Sequence, residues 1–373
     1  MRVVHVTSGH DWYDARIFER QCMSLARAGN QVHLVGAFTE SGEKQTVHLH
    51  PAIVRPRGRW QRLVTSSREF RVRAAKLEGD VYHFHDPSLL PWVGVLRRKN
   101  PKSIIIYDAH EDYPAQTLNR EYIPKSIRSI AARMVDVLED RWAKQVDGVV
   151  AATPTIEEKF RKKNHKVIAV CNYPRFDFAQ SQRMPYKSRP LPLVYVGGIE
   201  DHRGAKEMVN LASNLGQKLT LAGGLLTSYQ QELAMLPGWD LVDYRGSLSR
   251  EKVWSLLSES RIGLCLLRPL VNYLDALPVK LFEYMASGIP VICSNFPLWR
   301  QIVEGAGCGI CVDVADAVQV ERAVTTLLEN PDLAEQMGLR GREAVAKQYS
   351  WSSQETKLLA FYEELGIARR LVQ

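Results

Sequence analysis

DALPVKLFEYMASGIPV, residues 275–291, carries two patterns in one stretch. Leu281, Phe282 and Met285 recur at helical spacing, and Gly288-Ile289-Pro290-Val291 leads from a helix end into an apolar strand. A buried helix followed by a buried strand is the unit from which parallel α/β sheets are built. Pro278 suits the first helical position, where its missing N–H removes nothing. The next amides have no partner inside the helix, and the helix dipole favours an anion there. Lys280 adds a full positive charge, and Lys280, Glu283 and Tyr284 share one face while Leu281, Phe282 and Met285 pack inward. A carboxylate at Glu283 can accept two hydrogen bonds from a vicinal diol such as a ribose. Taken alone, the pair reads as a surface ion pair worth about 0.2–0.5 kcal/mol.

A second feature of the same half changes that reading. In YVGGIEDHRG (195–204) a strand ends in two glycines, and Arg203-Gly204 precedes a helix. Bare backbone at Gly198 and a cation at Arg203, placed at the carboxyl edge of a strand, suit a diphosphate. No GK[ST] follows, so this is not a P-loop. With both features in one half, a nucleotide diphosphate is the better reading of Lys280, Leu281 and Glu283.

Strand and helix patterns alternate outward from there. In the first half, VVHVT (3–7), QVHLVG (31–36), VYHFH (81–85), SIIIYD (103–108), GVVAAT (148–153) and VIAVC (167–171) read as strands. Asp14 caps a helix with Ile17, Phe18, Cys22 and Leu25 on one face, and Gly29 ends it. A long helical region lies near 124–145. After a polar connection that contains NYPRFD (172–177) and SRPLP (188–192), the series restarts with LVYVGG (193–198), LTLAGG (219–224), DLVDYRG (240–246), IGLCLL (262–267), PVICS (290–294) and GICVDV (309–314). The expectation is an α/β protein of two doubly wound parallel-sheet domains, 1–175 and 190–350. A helix at 351–373 would pack back on the first. Ligands of such sheets bind at the carboxyl ends of the strands, so the cleft between the domains is the expected active site.

With 373 residues, 45% of them hydrophobic and 24% charged, the chain suits two large cores. Met1-Arg2 runs directly into a strand, and no run approaches the roughly 18 apolar residues of a membrane span, so a cytoplasmic protein is expected. Cys308 and Cys311 form a lone CxxC inside an apolar strand, which reads as core in a reduced compartment. Residues 1–187 hold 31 Lys+Arg against 20 Asp+Glu, whereas the remainder holds 18 against 21. A basic first half could meet anionic lipid, a phosphorylated lipid carrier or nucleic acid. RPRGRWQRL (55–63), REFRVRAAK (68–76) and RRKNPK (97–102), with Trp60, Phe70 and Trp92 among them, point to an interface.

In that half three strands end in His and Asp: SGHDWYDAR (8–16), VYHFHDP (81–87) and YDAHEDYP (107–114). His83, His85 and Asp86 could gather a metal, but a ligand set sharing one strand is a poor fit. His110, flanked by Asp108, Glu111 and Asp112, is the residue expected at a reaction centre.

These motifs together resemble a family 4 retaining glycosyltransferase of the GT-B fold, of the bacterial surface-polysaccharide type. DARIFERQCMSLARAGNQVHLV (14–35), YDAHEDYP, YVGGIEDHRG, LPVKLFEYMASGIPV with GCGICVDVADA, and the final SW (350–351) carry the resemblance over nearly the whole chain. It implies transfer of a hexosyl or N-acetylhexosaminyl residue from a nucleotide diphosphate sugar, with UDP the expected carrier. The implied acceptor is a saccharide or lipid-linked saccharide, reached through the basic half at an anionic membrane surface. No nucleic-acid partner and no cofactor are expected, and no metal, since no DxD-type pair is evident to hold a divalent ion. Glu283 matches the acid that binds the donor ribose, Arg203 a base on the diphosphate, and the amides near Lys280 and Leu281 the helix start that meets the phosphates. His110 matches a histidine beside the transferred sugar, and the loop around Gly9 lies near donor and acceptor. Asp275 stands one methylene short of the family's usual first Glu. The family's other diphosphate arginine falls near Gly198 and is absent, so Lys280 is expected to supply its charge. Two further readings are a nucleotide-sugar epimerase of the same architecture and a catalytically degenerate partner subunit.

Overall fold

Runs rich in Val, Ile and Leu that can be buried on both faces become the strands of two parallel sheets. The computed structural model describes residues 1–52, 67–120, 123–163, 166–175 and 184–371. The basic run 55–63 and part of the 172–177 connection lie outside them. Two compact units result: Met1–Asn172 with Ser352–Gln373, and Tyr173–Trp351.

In the first unit, β1 (Arg2–Val6), β2 (Gln31–Gly36), β3 (Gly42–Lys44), β4 (Val47–Pro51), β5 (Val81–Phe84), β6 (Ile104–Ala109), β7 (Gly148–Ala151) and β8 (Val167–Ala169) form one sheet in the order β3-β4-β2-β1-β5-β6-β7-β8. Every pairing is parallel except β3 with β4, a short addition that the sequence patterns did not single out. Val4, Val6, Tyr82, Phe84, Ile105 and Tyr107 build the core on one face. The C-terminal helix, Trp351–Leu371, belongs to this unit from Ser352 onward. Its Phe361 sits where a Cβ on Gly148 would fall, 2.6 Å away.

The second unit orders β9 (Leu191–Val196), β10 (Leu219–Ala222), β11 (Val242–Tyr244), β12 (Ser260–Cys265), β13 (Val291–Ser294) and β14 (Gly309–Val312) as β11-β10-β9-β12-β13-β14, all parallel. The order reverses at β9 and β12, as it does at β1 and β5 in the first unit. Each reversal opens a crevice at the carboxyl ends of its strands. All six cysteines are free and buried, Cys308 and Cys311 among them.

The other face of the first sheet carries a row of imidazoles. His5 and His83 are register partners on β1 and β5, and His85 follows two residues on. His5 Nδ1 and His85 Nε2 lie 2.8 Å apart, and His83 Nδ1 lies 2.6 Å from the Tyr362 hydroxyl. His33 Nδ1 and His50 Nε2, on β2 and β4, are likewise 2.8 Å apart. Burial holds His5 and His83 well below the ordinary histidine value, and lowers His85, His33 and His50. These rings are neutral when folded, and the unfolded chain takes up their protons below pH ~6.5. Stability is therefore present above that pH and lost as pH falls. His5 and His83 alone should remove about 3 kcal/mol between neutrality and a pH one unit below 6.5. Thermal unfolding across that range should show the loss; a flat profile would contradict buried neutral imidazoles.

Candidate active site

In the second unit the crevice forms where β9 ends. Gly197 takes φ +127°, and a Cβ there would lie 2.8 Å from Lys280 Nζ. The positive φ demands glycine at this position, and a side chain there would press on the lysine. Gly198 is less confined: its nearest side-chain neighbours beyond Glu200 are guanidinium atoms of Arg203, at 3.8 Å from a built Cβ, and its carbonyl accepts from the Tyr195 hydroxyl at 2.7 Å. The turn thus lies between two cationic side chains, Lys280 and Arg203. Arg203 also donates to Glu200 at 3.1 Å. Gly204, at φ +76°, closes the turn and starts helix Ala205–Leu215.

The helix that leads into β13 runs Val279–Ala286. Pro278 precedes it rather than opening it: its ψ of 130° is extended, and its carbonyl accepts from Leu281 N at 3.1 Å. The helix therefore begins one residue later than the proline pattern suggests; no side chain caps it, and only the amides ahead of Leu281 lack a partner of that kind. Every residue from Lys280 to Ala286 is buried. Tyr284 departs from the expected cleft face. Its ring packs against Gly263 and its hydroxyl bridges Val196 N and Leu264 O, so it is a core residue. A helix buried all round has no solvent face on which to place a polar residue.

Lys280 is only 8% exposed, and its Nζ has no hydrogen-bond partner. The ammonium lies 3.6 Å from the Tyr195 ring centroid. Burial pushes its pKa down to about 7, with the charge of Arg203 acting the same way and Cys265 and Glu283 opposing. Glu283, 7% exposed, lies 3.6 Å from Arg250 Nη1, a neighbour that no motif had indicated. Asp275 is exposed at the end of helix Val271–Leu274 and makes no side-chain hydrogen bond or ion pair among the described residues. The Trp299 indole donates to the next carbonyl, Ala276 O, at 2.7 Å and holds that loop.

In the first unit, Gly9, Asp86 and His110 follow β1, β5 and β6, at the corresponding edge. Asp86 Oδ2 accepts from Thr7 Oγ1 at 2.9 Å and Ser8 N at 2.7 Å, which shapes the exposed Gly9 loop. Asp14 caps its helix through Arg16 N and Ile17 N. That helix is wound as a π-helix over Ala15–Cys22, and it carries Arg16 and Gln21 inward. Asp108 is fully buried. Arg16 grips it at 2.6 and 3.0 Å, and Gln21 at 2.7 Å. His85 Nδ1 and His110 Nε2 each lie 3.0 Å from the same carboxylate oxygen. Burial opposes ionisation of Asp108, but Arg16 and His110 outweigh it and hold the carboxyl well below its usual range. An ionised carboxylate only accepts, so it draws a ring N–H from His110 and orients the imidazole.

The His10 ring stands 5.0 Å from that of His110 and pairs with Asp14 at 3.3 Å; this contact with Asp14 raises its pKa. Glu111 and Asp112 point elsewhere, to Gln116 and to the start of helix Tyr113–Leu118. Sequence reading missed the roles of Arg16, Gln21 and His10, since only the fold brings them to residue 108 or 110. Two trios, His5/His83/His85 and His85/Asp108/His110, have atoms close enough to share an ion. An ion at the second would compete with Arg16 for the carboxylate.

Two sequence models match. The Glycosyltransferase Family 4 model covers residues 15–185, and a "Glycosyl transferase-like" model covers 203–360. The chain is 29% identical over 99 residues to a phosphatidyl-myo-inositol mannosyltransferase of Mycobacterium leprae, covering 26% of each chain. The matched stretches span about a quarter to a half of such relatives. Among solved structures, the sucrose-phosphate synthase of Thermosynechococcus elongatus superposes with TM-score 0.77 at 18% identity, over 99% of this chain and 100% of that one. HepE of Anabaena, solved in complex with UDP, superposes with TM-score 0.71 at 10% identity, over 98% and 100%. At these identities the structural likeness concerns the fold, two doubly wound units of GT-B type.

Proposed function

The chain belongs to glycosyltransferase family 4, and from that premise we propose that it moves a hexosyl or N-acetylhexosaminyl residue from a nucleotide diphosphate sugar to a saccharide or lipid-linked saccharide. The observation that carries this reading is Lys280: a buried ammonium without a hydrogen-bond partner, beneath a glycine turn and at an uncapped helix start. Leaving a cation unpaired in the core is costly. An incoming diphosphate would supply its missing partner, with Arg203 on the other side of the turn and the amides ahead of Leu281, whose own N–H is held by Pro278 O, completing the anion site. Glu283 would accept from the ribose hydroxyls. UDP is the carrier we propose, in keeping with the UDP held by the HepE structure.

The chemistry follows from charge. The bond between the sugar's anomeric carbon and the phosphate oxygen breaks, and the diphosphate leaves with the electron pair. Lys280, Arg203 and the helix start would stabilise that developing charge. The acceptor oxygen bonds to the same face of the sugar, and its proton passes to the departing phosphate oxygen, so the anomeric configuration is retained. His110, oriented by Asp108, would stand beside the transferred sugar, and Gly9 would leave room for donor and acceptor. Asp275, exposed, would reach the donor sugar from its loop. The scheme needs no metal.

One experiment tests both parts. Transfer run in excess chelator, with the product anomer read by NMR, should give product of unchanged configuration, and Glu283→Ala should abolish it. Inversion, or activity lost on chelation and restored by a divalent ion, would refute the scheme. Isomerisation of donor alone would instead indicate an epimerase.

A further inference from the structure

Helix Arg128–Ala143, between β6 and β7, has an apolar side that the described residues leave uncovered. Ile127, Ile130, Met134, Val137 and Leu138 are 40–63% exposed. Their spacing of three and four residues places them on one face, an apolar ridge about three turns long. The opposite face is ordinary core: Ala132, Glu139 and Ala143 are buried. Scattered exposed apolar residues need no cause, but a contiguous ridge of five does.

Charge around the ridge is one-sided. The acidic residues of the helix are answered within the unit: Lys163 meets Asp136 at 2.7 Å, Lys159 meets Glu139 at 3.2 Å, and Lys144 meets Asp140 at 2.9 Å. Arg133 and Arg141, both exposed, have no ion pair among the described residues, and Lys125 stands exposed before the helix. An apolar ridge bordered by unanswered cations is the pattern of a helix that lies in a bilayer interface. A two-fold contact between two copies would bring Arg133 and Arg141 towards their own equivalents, and like charges oppose it. The basic runs 68–76 and 97–102 are less suited. Arg97 is held by Asp147 at 2.7 Å and Arg73 by Glu69 at 3.2 Å, while Phe70 is core. No helix among the described residues is long and apolar enough to cross a membrane, so contact through this helix would be peripheral.

We propose that the ridge Ile127–Leu138 of helix Arg128–Ala143, with Arg133 and Arg141 beside it, docks the first unit on an anionic lipid bilayer. The inference rests on the reading of the acceptor as lipid-linked, and names the surface that would meet the membrane. Ridge side chains enter the acyl boundary while the guanidinium groups pair with lipid phosphates.

The test is co-sedimentation of the full chain with vesicles of phosphatidylcholine alone or with about one-third phosphatidylglycerol. The wild type should bind the anionic vesicles and not the neutral ones. Arg133→Ala with Arg141→Ala should lower partitioning about 25-fold, from about fivefold per cation. Ile130→Ser, Met134→Ser and Val137→Ser together should abolish it with the thermal midpoint unchanged, since these side chains are exposed. Equal binding by the variants would overturn this surface while leaving a membrane acceptor standing. No binding by the wild type would overturn both, yet leave sugar transfer, assayed in solution with a water-soluble acceptor, untouched. A wild-type dimer that the serine variant converts to monomer would assign the ridge to a second copy and also overturn the proposal.

Discussion

Lys280→Met should unfold at a higher temperature than the wild type and bind the nucleotide-sugar donor roughly 5- to 150-fold more weakly, a loss of about 1–3 kcal/mol. The two effects share one cause. The ammonium is buried without a hydrogen-bond partner, and burial lowers its pKa from 10.5 to about 7. For a base whose folded pKa is depressed, the penalty is fully present below the folded value and fades as pH rises towards the unfolded one. The stability advantage of the methionine variant should thus be a few kcal/mol below pH 7 and shrink towards pH ~10. Binding carries the complementary signature. A diphosphate favours the charged lysine, so above pH 7 donor binding by the wild type should take up a proton and weaken with rising pH. Calorimetry in buffers of different ionisation enthalpy reads that proton. Unchanged affinity in the variant, or a lowered midpoint, would remove Lys280 from the phosphate site.

Asp108→Ala should destabilise the first unit by about 3–5 kcal/mol, the cost of leaving a buried ion without its partner. Arg16 is 5% exposed, and its remaining hydrogen bond is to Val170 O at 2.6 Å. His85 and His110 lose the acceptor that orients them. Urea unfolding should show a lower midpoint for the variant. Pairing the change with Arg16→Met should recover much of the loss, because two apolar side chains leave no uncompensated charge. A loss below about 1 kcal/mol in the single variant would mean that the Arg16–Asp108 pair is not the buried anchor its geometry describes. The stability effect is separate from any effect on transfer, which would report on the placing of His110.

Much of the architecture was legible because its signals are local. Apolar runs of four to six residues alternating with helical periods need a parallel sheet, and Asp14 announced its helix through a cap that involves only the next three residues. Lys280 and Glu283 stood out because each was polar where the surrounding pattern required burial. Where the structure differs, a distant neighbour decided. Tyr284 shares a helical face with Lys280, but Gly263 on β12 leaves a space that its ring fills, so it turned inward. Of the two glycines after β9, the confined one is Gly197, and its confinement comes from a lysine more than eighty residues away.

The histidine row and the ridge on helix Arg128–Ala143 show the same division. Hydrophobic period alone cannot separate a face that packs on a neighbour from one that does not, so the helical pattern near 124–145 does not say that Ile130, Met134 and Val137 are exposed in the fold. The strand pattern set His5, His83 and His85 on strands, but only the parallel register made them neighbours. Arg16 reaches Asp108 across 92 residues of chain. Periodicity, caps and turn glycines act within a few residues, and so they are written in the sequence. Burial, pairing and pKa depend on what the rest of the chain brings alongside, and these only the tertiary structure decided.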